Sequence, residues 1–115
     1  MRGNNLEGRL FNFALSVQKI IQPLPKTESN RVYGRQVMRS SASVGANYAE
    51  ATCALTKKDF AHDVNRSRKE AKETLYWLNL LAEVNHGMKP KMGDLLREAE
   101  EIVKILSRSA KTARS

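Results

Sequence analysis

The chain is poor in the residues that punctuate or cross-link a fold: one cysteine, three prolines and six glycines in 115 residues, with only 6% aromatic. The single thiol, Cys53, excludes an intramolecular disulfide and has no companion with which to hold a metal. It fits a reducing compartment. The scarcity of proline and glycine leaves long stretches free to be helical. No apolar run approaches the ~20 residues of a membrane-spanning helix. The N-terminal stretch Met1 to Leu10 lacks the apolar core of a signal peptide, so a cytoplasmic protein without membrane association is expected. Acidic residues are also in deficit, 12 against 20 Lys and Arg, for a formal charge of +8. Such an excess on one small domain implies attraction to phosphate or to an acidic partner, against the plainer alternative of a charge that serves solubility. Hydrophobic content of 41% is ordinary for a globular chain, and the length suits one domain with one modest core.

What is present is helical periodicity. Within a single domain spanning 1–115, the pattern predicts helices at about 5–22, 29–54, 57–85 and 90–110, joined by short connections. This is an all-α, antiparallel, up-down-up-down four-helix bundle. Leu6, Leu10, Phe13, Val17, Ile20, Ile21 and Leu24 form the first stripe, which Pro23 and Pro25 end. Val37, Val44, Tyr48, Ala51 and Leu55 lie near one face of the second helix. Thr56, with Asp59 three residues on, reads as the N-cap of the third, whose core stripe is Phe60, Val64, Ala71, Leu75, Leu78 and Ala82. Gly87 reads as its C′ residue. Met92, Leu95, Leu96, Ala99, Ile102, Val103 and Leu106 mark the inner face of the fourth, and the tail from Lys111 to Ser115 is expected to fray.

Two stretches depart from a simple amphipathic pattern. Between Gly34 and Ala51 the second helix is crowded with small residues (Ser40, Ser41, Ala42, Ser43, Gly45, Ala46, Ala49), which lets neighbouring helices approach closely. From Leu75 to Val84 the third helix is apolar nearly all round. A monomer's core uses one stripe of a helix, so the surplus residues Tyr76, Trp77, Leu80, Leu81 and Val84 are expected to form a subunit interface. The alternative is a core that wraps further around this helix.

No catalytic constellation is legible. There is no Ser/His/Asp arrangement, no Gly-rich phosphate loop, and not the short Arg-to-His spacing of helical RNases. His62 and His86 lie far apart, and the Glu-x-x-His pair of di-iron bundles is expected to be absent. No enzyme activity, cofactor or metal is expected. The basic residues are the better lead. Arg31, Arg35 and Arg39 recur every four residues on the second helix. Arg66, Lys69 and Lys72 do so less regularly on the third, and Arg97, Lys104, Arg108 and Lys111 follow a line on the fourth. Each can contact phosphate without reading sequence, although charged helix faces are most often merely solvated. Antiparallel packing of the second and third helices would bring Arg39 to Glu73, and Glu50 to His62 and Arg66, as ion pairs that set register. Asn47, Glu50 and Glu73 are therefore assigned structural roles.

Gln36 to Ala51 resembles a known pattern in which Gln, arginine, small residues, Ser43 and an Asn-x-Ala-Glu element (Asn47, Ala49, Glu50) recur in order. Phe60, Ser67, Lys69-Glu70-Ala71, Glu73-Thr74 and Tyr76-Trp77-Leu78 resemble its second motif. The family is that of the 23S ribosomal RNA intervening-sequence protein, and the resemblance covers about Leu6 to Leu106. Met38 and Ser40 depart from the arginine and alanine usual beside Arg39. The resemblance implies an up-down bundle that forms homopentamers, with nucleic-acid binding suspected. Five copies would carry a charge of about +40, a strong field for a polyanion. The expectation is a non-catalytic oligomeric bundle that binds nucleic acid, RNA favoured over DNA. The alternative is a protein-interaction scaffold or accessory subunit with no nucleic-acid role.

Overall fold

A computed structural model describes residues 5–114. Four α-helices run through them, with no strand among the described residues: α1 (Asn5–Ile21), α2 (Glu28–Thr52), α3 (Lys57–Val84) and α4 (Lys89–Arg114). Residues 1–4 and Ser115, which the single-domain reading includes, lie outside the described residues. The molecule extends over 45 × 25 × 22 Å, the long axis being set by α3 at ~1.5 Å rise per residue. Each helix packs on its neighbours in the order α1-α2-α3-α4 and back to α1. The chain is an all-α four-helix bundle.

The helix starts follow from caps. Thr27 is extended and its side chain accepts from the Asn30 amide at 3.1 Å. Thr56 accepts from the Asp59 amide at 3.0 Å, as its spacing predicts. Pro90 sits in the first turn of α4, where a missing N–H costs nothing. The ends differ more from expectation. Gly87 is no left-handed C′ residue: α3 stops at Val84 and Gly87 belongs to a 3₁₀ turn, His86–Met88, leading directly into α4. Asn85 closes α3 instead, its amide donating to the Leu81 carbonyl at 2.8 Å. Leu55 is not core but 97% exposed. Because α2 ends at Thr52, the helical phase that would turn Leu55 inward has already lapsed. The tail is helical through Arg114, with Ala110 buried, so residues 111–114 continue α4 rather than fray.

Leu10, Val17, Val37, Val44, Val64, Leu78, Leu81, Met92, Ile102 and Leu106 are fully enclosed in one core. The small residues of α2 do bring its neighbours close. A Cβ on Gly34 would stand 3.0 Å from Ile21 Cγ2, and one on Gly45 would touch Leu10. On the other side, Ser67 of α3 donates to the Val44 carbonyl at 2.6 Å, and Thr74 donates to Ser40 Oγ at 2.8 Å. A side chain as short as serine reaches a carbonyl of the neighbouring helix only when the two helices are tightly apposed. Buried hydroxyls thus give this seam a register that apolar contacts alone would not.

Candidate nucleic-acid interface

The ten basic residues singled out above separate into two groups. Three are tied to acids. Arg31 pairs with Glu28 and Arg97 with Asp94 one turn away on their own helices. Arg39 crosses from α2 to α3, meeting Glu73 and, at 3.3 Å, Glu70. Desolvation works against the charge on Arg39, but the hydrogen bond and charge of Glu73, joined by Glu70, outweigh it and raise its pKa. Glu73 Oε2 also accepts from Trp77 Nε1 at 3.0 Å, and Trp77 stacks on Tyr33 with ring centroids 5.9 Å apart. Arg39 is therefore a structural tie in an α2–α3 cluster, as the spacing of Arg39 and Glu73 predicts, and its charge is locally cancelled. The companion tie does not form: Glu50 is exposed without an ion pair among the described residues, while His62 faces Asp63 at 3.5 Å. Glu50 comes too near the C-terminal end of α2 and points outward, so α3 does not cover it. Asn47 is half-buried on α2.

The other seven, Arg35, Arg66, Lys69, Lys72, Lys104, Arg108 and Lys111, are exposed and carry no ion pair among the described residues. They do not form one ridge. Arg35 lines a groove between α1 and α2, and Arg66, Lys69 and Lys72 lie along the outside of α3. Lys104 lies exposed on α4 about one turn before Arg108, and Arg108 belongs to a basic surface at the end of the bundle where α3 begins and α4 ends. Two adjoining shallow grooves meet there. One is lined by Lys57, Lys58, His62 and Arg114, the other by Lys57, Phe60, Arg108 and Thr112. Lys111 is exposed on the last turns of α4 beside them. Lys58 and Arg114 were not among the candidates. The signal for them was in the chain: past Glu101 the sequence holds Lys104, Arg108, Lys111 and Arg114 and no acid. A structural role competes for these charges, since cations in a last turn also stabilise the negative end of the helix dipole.

The apolar candidates divide as well. Leu81 is fully buried in the monomer's own core and is unavailable to a partner, because its position on the wheel falls beside Leu78 and Thr74. Tyr76 and Val84 are exposed, and Trp77 and Leu80 are half-buried.

For catalysis or metals the arrangement offers little to work with. Among the described residues no group of three His, Cys, Asp or Glu side chains could hold a metal ion. Contrary to the expectation that no such pair is present, Glu83 and His86 share the Glu-x-x-His spacing of di-iron bundles. Here, however, Glu83 is engaged by Lys89 at 2.7 Å. Hydrogen bonding to Lys89 and its charge hold the Glu83 pKa below the usual carboxylate value. No helix among the described residues is long and apolar enough to cross a membrane.

Residues 8–108 match the family described as 23S rRNA-intervening sequence protein. Among solved structures, the chain is similar to a protein of unknown function of the S23 ribosomal protein family from Bacteroides thetaiotaomicron. The two share 30% identity and a TM-score of 0.82, over 91% of this chain and 97% of that one. No curated protein matches. With a family match over most of its length and a relative that shares its whole bundle, the chain belongs to the 23S rRNA-intervening sequence protein family, whose function is not established.

Proposed function

We propose that this protein is a non-catalytic, self-assembling bundle that binds nucleic acid, RNA in preference to DNA, through backbone contacts made by the basic end of the bundle. The observation that carries the reading is the set of unpaired cations Lys58, Arg108, Lys111 and Arg114, gathered where α3 begins and α4 ends. Cations already bound to carboxylates, such as Arg39, contribute little to a phosphate contact. These four lose no ion pair on binding. Aromatic side chains are sparse around them, so contact is with phosphate rather than by base stacking. The link of the family to a ribosomal RNA gene insertion favours RNA. Self-assembly, as a pentamer by family resemblance, multiplies the charge and allows several copies to engage one strand at once. A cytoplasmic location accords with this role.

The test is fluorescence anisotropy with labelled single-stranded and duplex RNA and DNA across a salt series. Four phosphate contacts predict that log K falls with log salt at a slope of about −3.6 on duplex DNA and about −2.8 on single strands. Neutralising Arg108 and Lys111 to Gln lowers the steepness by roughly two contacts, while Arg31→Gln leaves it unchanged. No binding at low salt refutes the reading and leaves the scaffold alternative. That alternative is favoured by one observation, the exposed apolar side chains on two sides of α2.

A further inference from the structure

Resting on the nucleic-acid reading above, we propose that the bound strand is single. It runs along the outer face of α3 from Lys58 to Tyr76, and the Tyr76 ring stacks on an unpaired base.

Lys58, His62, Arg66, Lys69, Lys72 and Tyr76 recur at intervals of three or four residues, and all six are exposed. They mark one face of α3 over about five helical turns, or about 27 Å. The buried residues Val64, Ser67, Ala71, Thr74 and Leu78 turn the opposite way, into the bundle. Lys58, Arg66, Lys69 and Lys72 carry no ion pair among the described residues. The carboxylates of this part of α3 stand off the line. Arg39 holds Glu70 and Glu73 toward α2. Asp63 lies beside His62, and Asp59 falls about 100° round the helix from Lys58. The Arg39 tie thus has a second consequence, since it draws two acids away from the cations of the outer face.

Like charges three or four residues apart repel, and a surface that serves solubility alone intersperses both signs. A line of cations kept clear of acid suits an extended polyanion instead. One basic side chain per turn of about 5.4 Å is close to the step between successive phosphates of a strand. His62 fills the gap between Lys58 and Arg66 with a further hydrogen-bond donor. Lys58 and His62 also line the groove that holds Arg114, so the line continues into the cations where α4 ends.

At its other end the line meets an aromatic side chain. Tyr76 is 60% exposed and lies edge-on to Trp77, with ring centroids 5.3 Å apart. Trp77 stacks on Tyr33 at 5.9 Å and donates from Nε1 to Glu73 at 3.0 Å. The Tyr76 ring is therefore braced from behind and open in front. Stacking, absent at the basic end, is available here, and only to a base that is not paired. The packing of α3 argues the same way. Flanked by α2 and α4, it cannot enter a groove as a protruding recognition helix does, so a duplex meets this face at few phosphates. The face accommodates about five nucleotides, one per helical turn. Tyr76 is thereby assigned to the nucleic acid, leaving contacts between copies to other surfaces.

The experiment is fluorescence anisotropy over a salt series with a labelled RNA single strand of about 12 nucleotides and a blunt RNA duplex of the same length. Light scattering and circular dichroism check the mass and folding of each variant. The single strand is expected to bind more tightly. The four cations of the basic end alone give a single-strand slope of about −2.8, and Arg66, Lys69 and Lys72 steepen it to about −4.9. Joint replacement of Lys69 and Lys72 by Gln brings it to about −3.5. Tyr76→Ala weakens single-strand binding about tenfold at unchanged slope and leaves duplex binding as it was, while Tyr76→Phe retains full affinity. No binding of either RNA at low salt overturns the nucleic-acid reading itself. A slope of about −2.8 that is indifferent to Lys69 and Lys72 leaves that reading standing and overturns the path along α3. Tighter binding of the duplex, or a Tyr76→Ala variant that loses nothing or loses both RNAs equally, overturns the single-strand assignment. A change of mass in Tyr76→Ala gives the ring to a contact between copies and overturns its stacking role.

Discussion

Replacing Asn30 by alanine is expected to cost far more than its place near the end of α2 suggests. Asn30 is 7% exposed. Its Nδ2 donates to the Pro25 carbonyl at 2.9 Å and to Asn85 Oδ1 at 3.0 Å, and its Oδ1 accepts from Asn85 Nδ2 at 2.7 Å. The reciprocal amide pair ties the α1–α2 connection to the end of α3. Three hydrogen bonds at ~0.5–1.5 kcal/mol each put the loss near 3 kcal/mol. In a domain of this size that lowers Tm by about 10 °C. Asn85→Ala removes the same two mutual bonds and the one to Leu81, at a half-buried site, for about 2 kcal/mol. Because the mutual bonds can be lost only once, the double variant should be destabilised by about 2 kcal/mol less than the sum of the singles. Urea titration followed by far-UV circular dichroism measures all three. Asn30→Asp provides a sign check: at neutral pH its carboxylate faces the Pro25 and Asn85 oxygens, so its deficit exceeds that of alanine and shrinks as the pH is lowered. A loss below about 0.5 kcal/mol for Asn30→Ala, or strict additivity in the cycle, refutes the reasoning.

Other expectations are simpler to state. Gly34→Ala should destabilise by about 1 kcal/mol, because the added methyl presses on Ile21 and overpacking outweighs the gain in helix propensity. Gly93→Ala, whose nearest neighbours are the flexible Arg97 nitrogens, should stabilise by up to about 1 kcal/mol; thermal melts of the pair compare them directly. Leu81→Ala should cost ~2–5 kcal/mol in denaturant titration, as expected for an enclosed core leucine, and Val84→Ala, on the surface, under about 0.5 kcal/mol. Glu83 should titrate below the ordinary carboxylate value by NMR, and Lys89→Ala should bring it back. With a lowered folded pKa, any stability it contributes is present above the ordinary carboxylate range and is lost as the pH falls.

Much of the fold could be read before any coordinates. The four stripes and the Thr56 cap place each helix to within a few residues, with the largest difference at the end of α4. The hydroxyl- and alanine-rich run of α2 announces close packing, and the Arg39–Glu73 tie follows from running two helices antiparallel from a known turn. The misses share a cause. Leu80 and Leu81 are identical in type and adjacent in sequence, and only the packing of the neighbouring helices around α3 leaves Leu81 enclosed and Leu80 half-buried. Arg31, Arg39 and Arg97 look like Arg35 and Arg108 in any list of basic residues. Whether a carboxylate stands beside each depends on rotamers and on the neighbouring helix.

The sequence by itself determined the class of the molecule: period-3.6 apolar spacing, few breakers and short connections allow little besides a helical bundle, since local hydrogen bonding and one buried stripe per helix suffice to build it. Tertiary structure alone decided which charges remain free and which apolar residues remain outside. Both are properties of pairs of helices, settled only when four stripes compete for one interior. Packing cancels Arg39 and encloses Leu81, gathers Lys58, Arg108, Lys111 and Arg114 at one end, and leaves Phe11, Met38 and Tyr76 exposed.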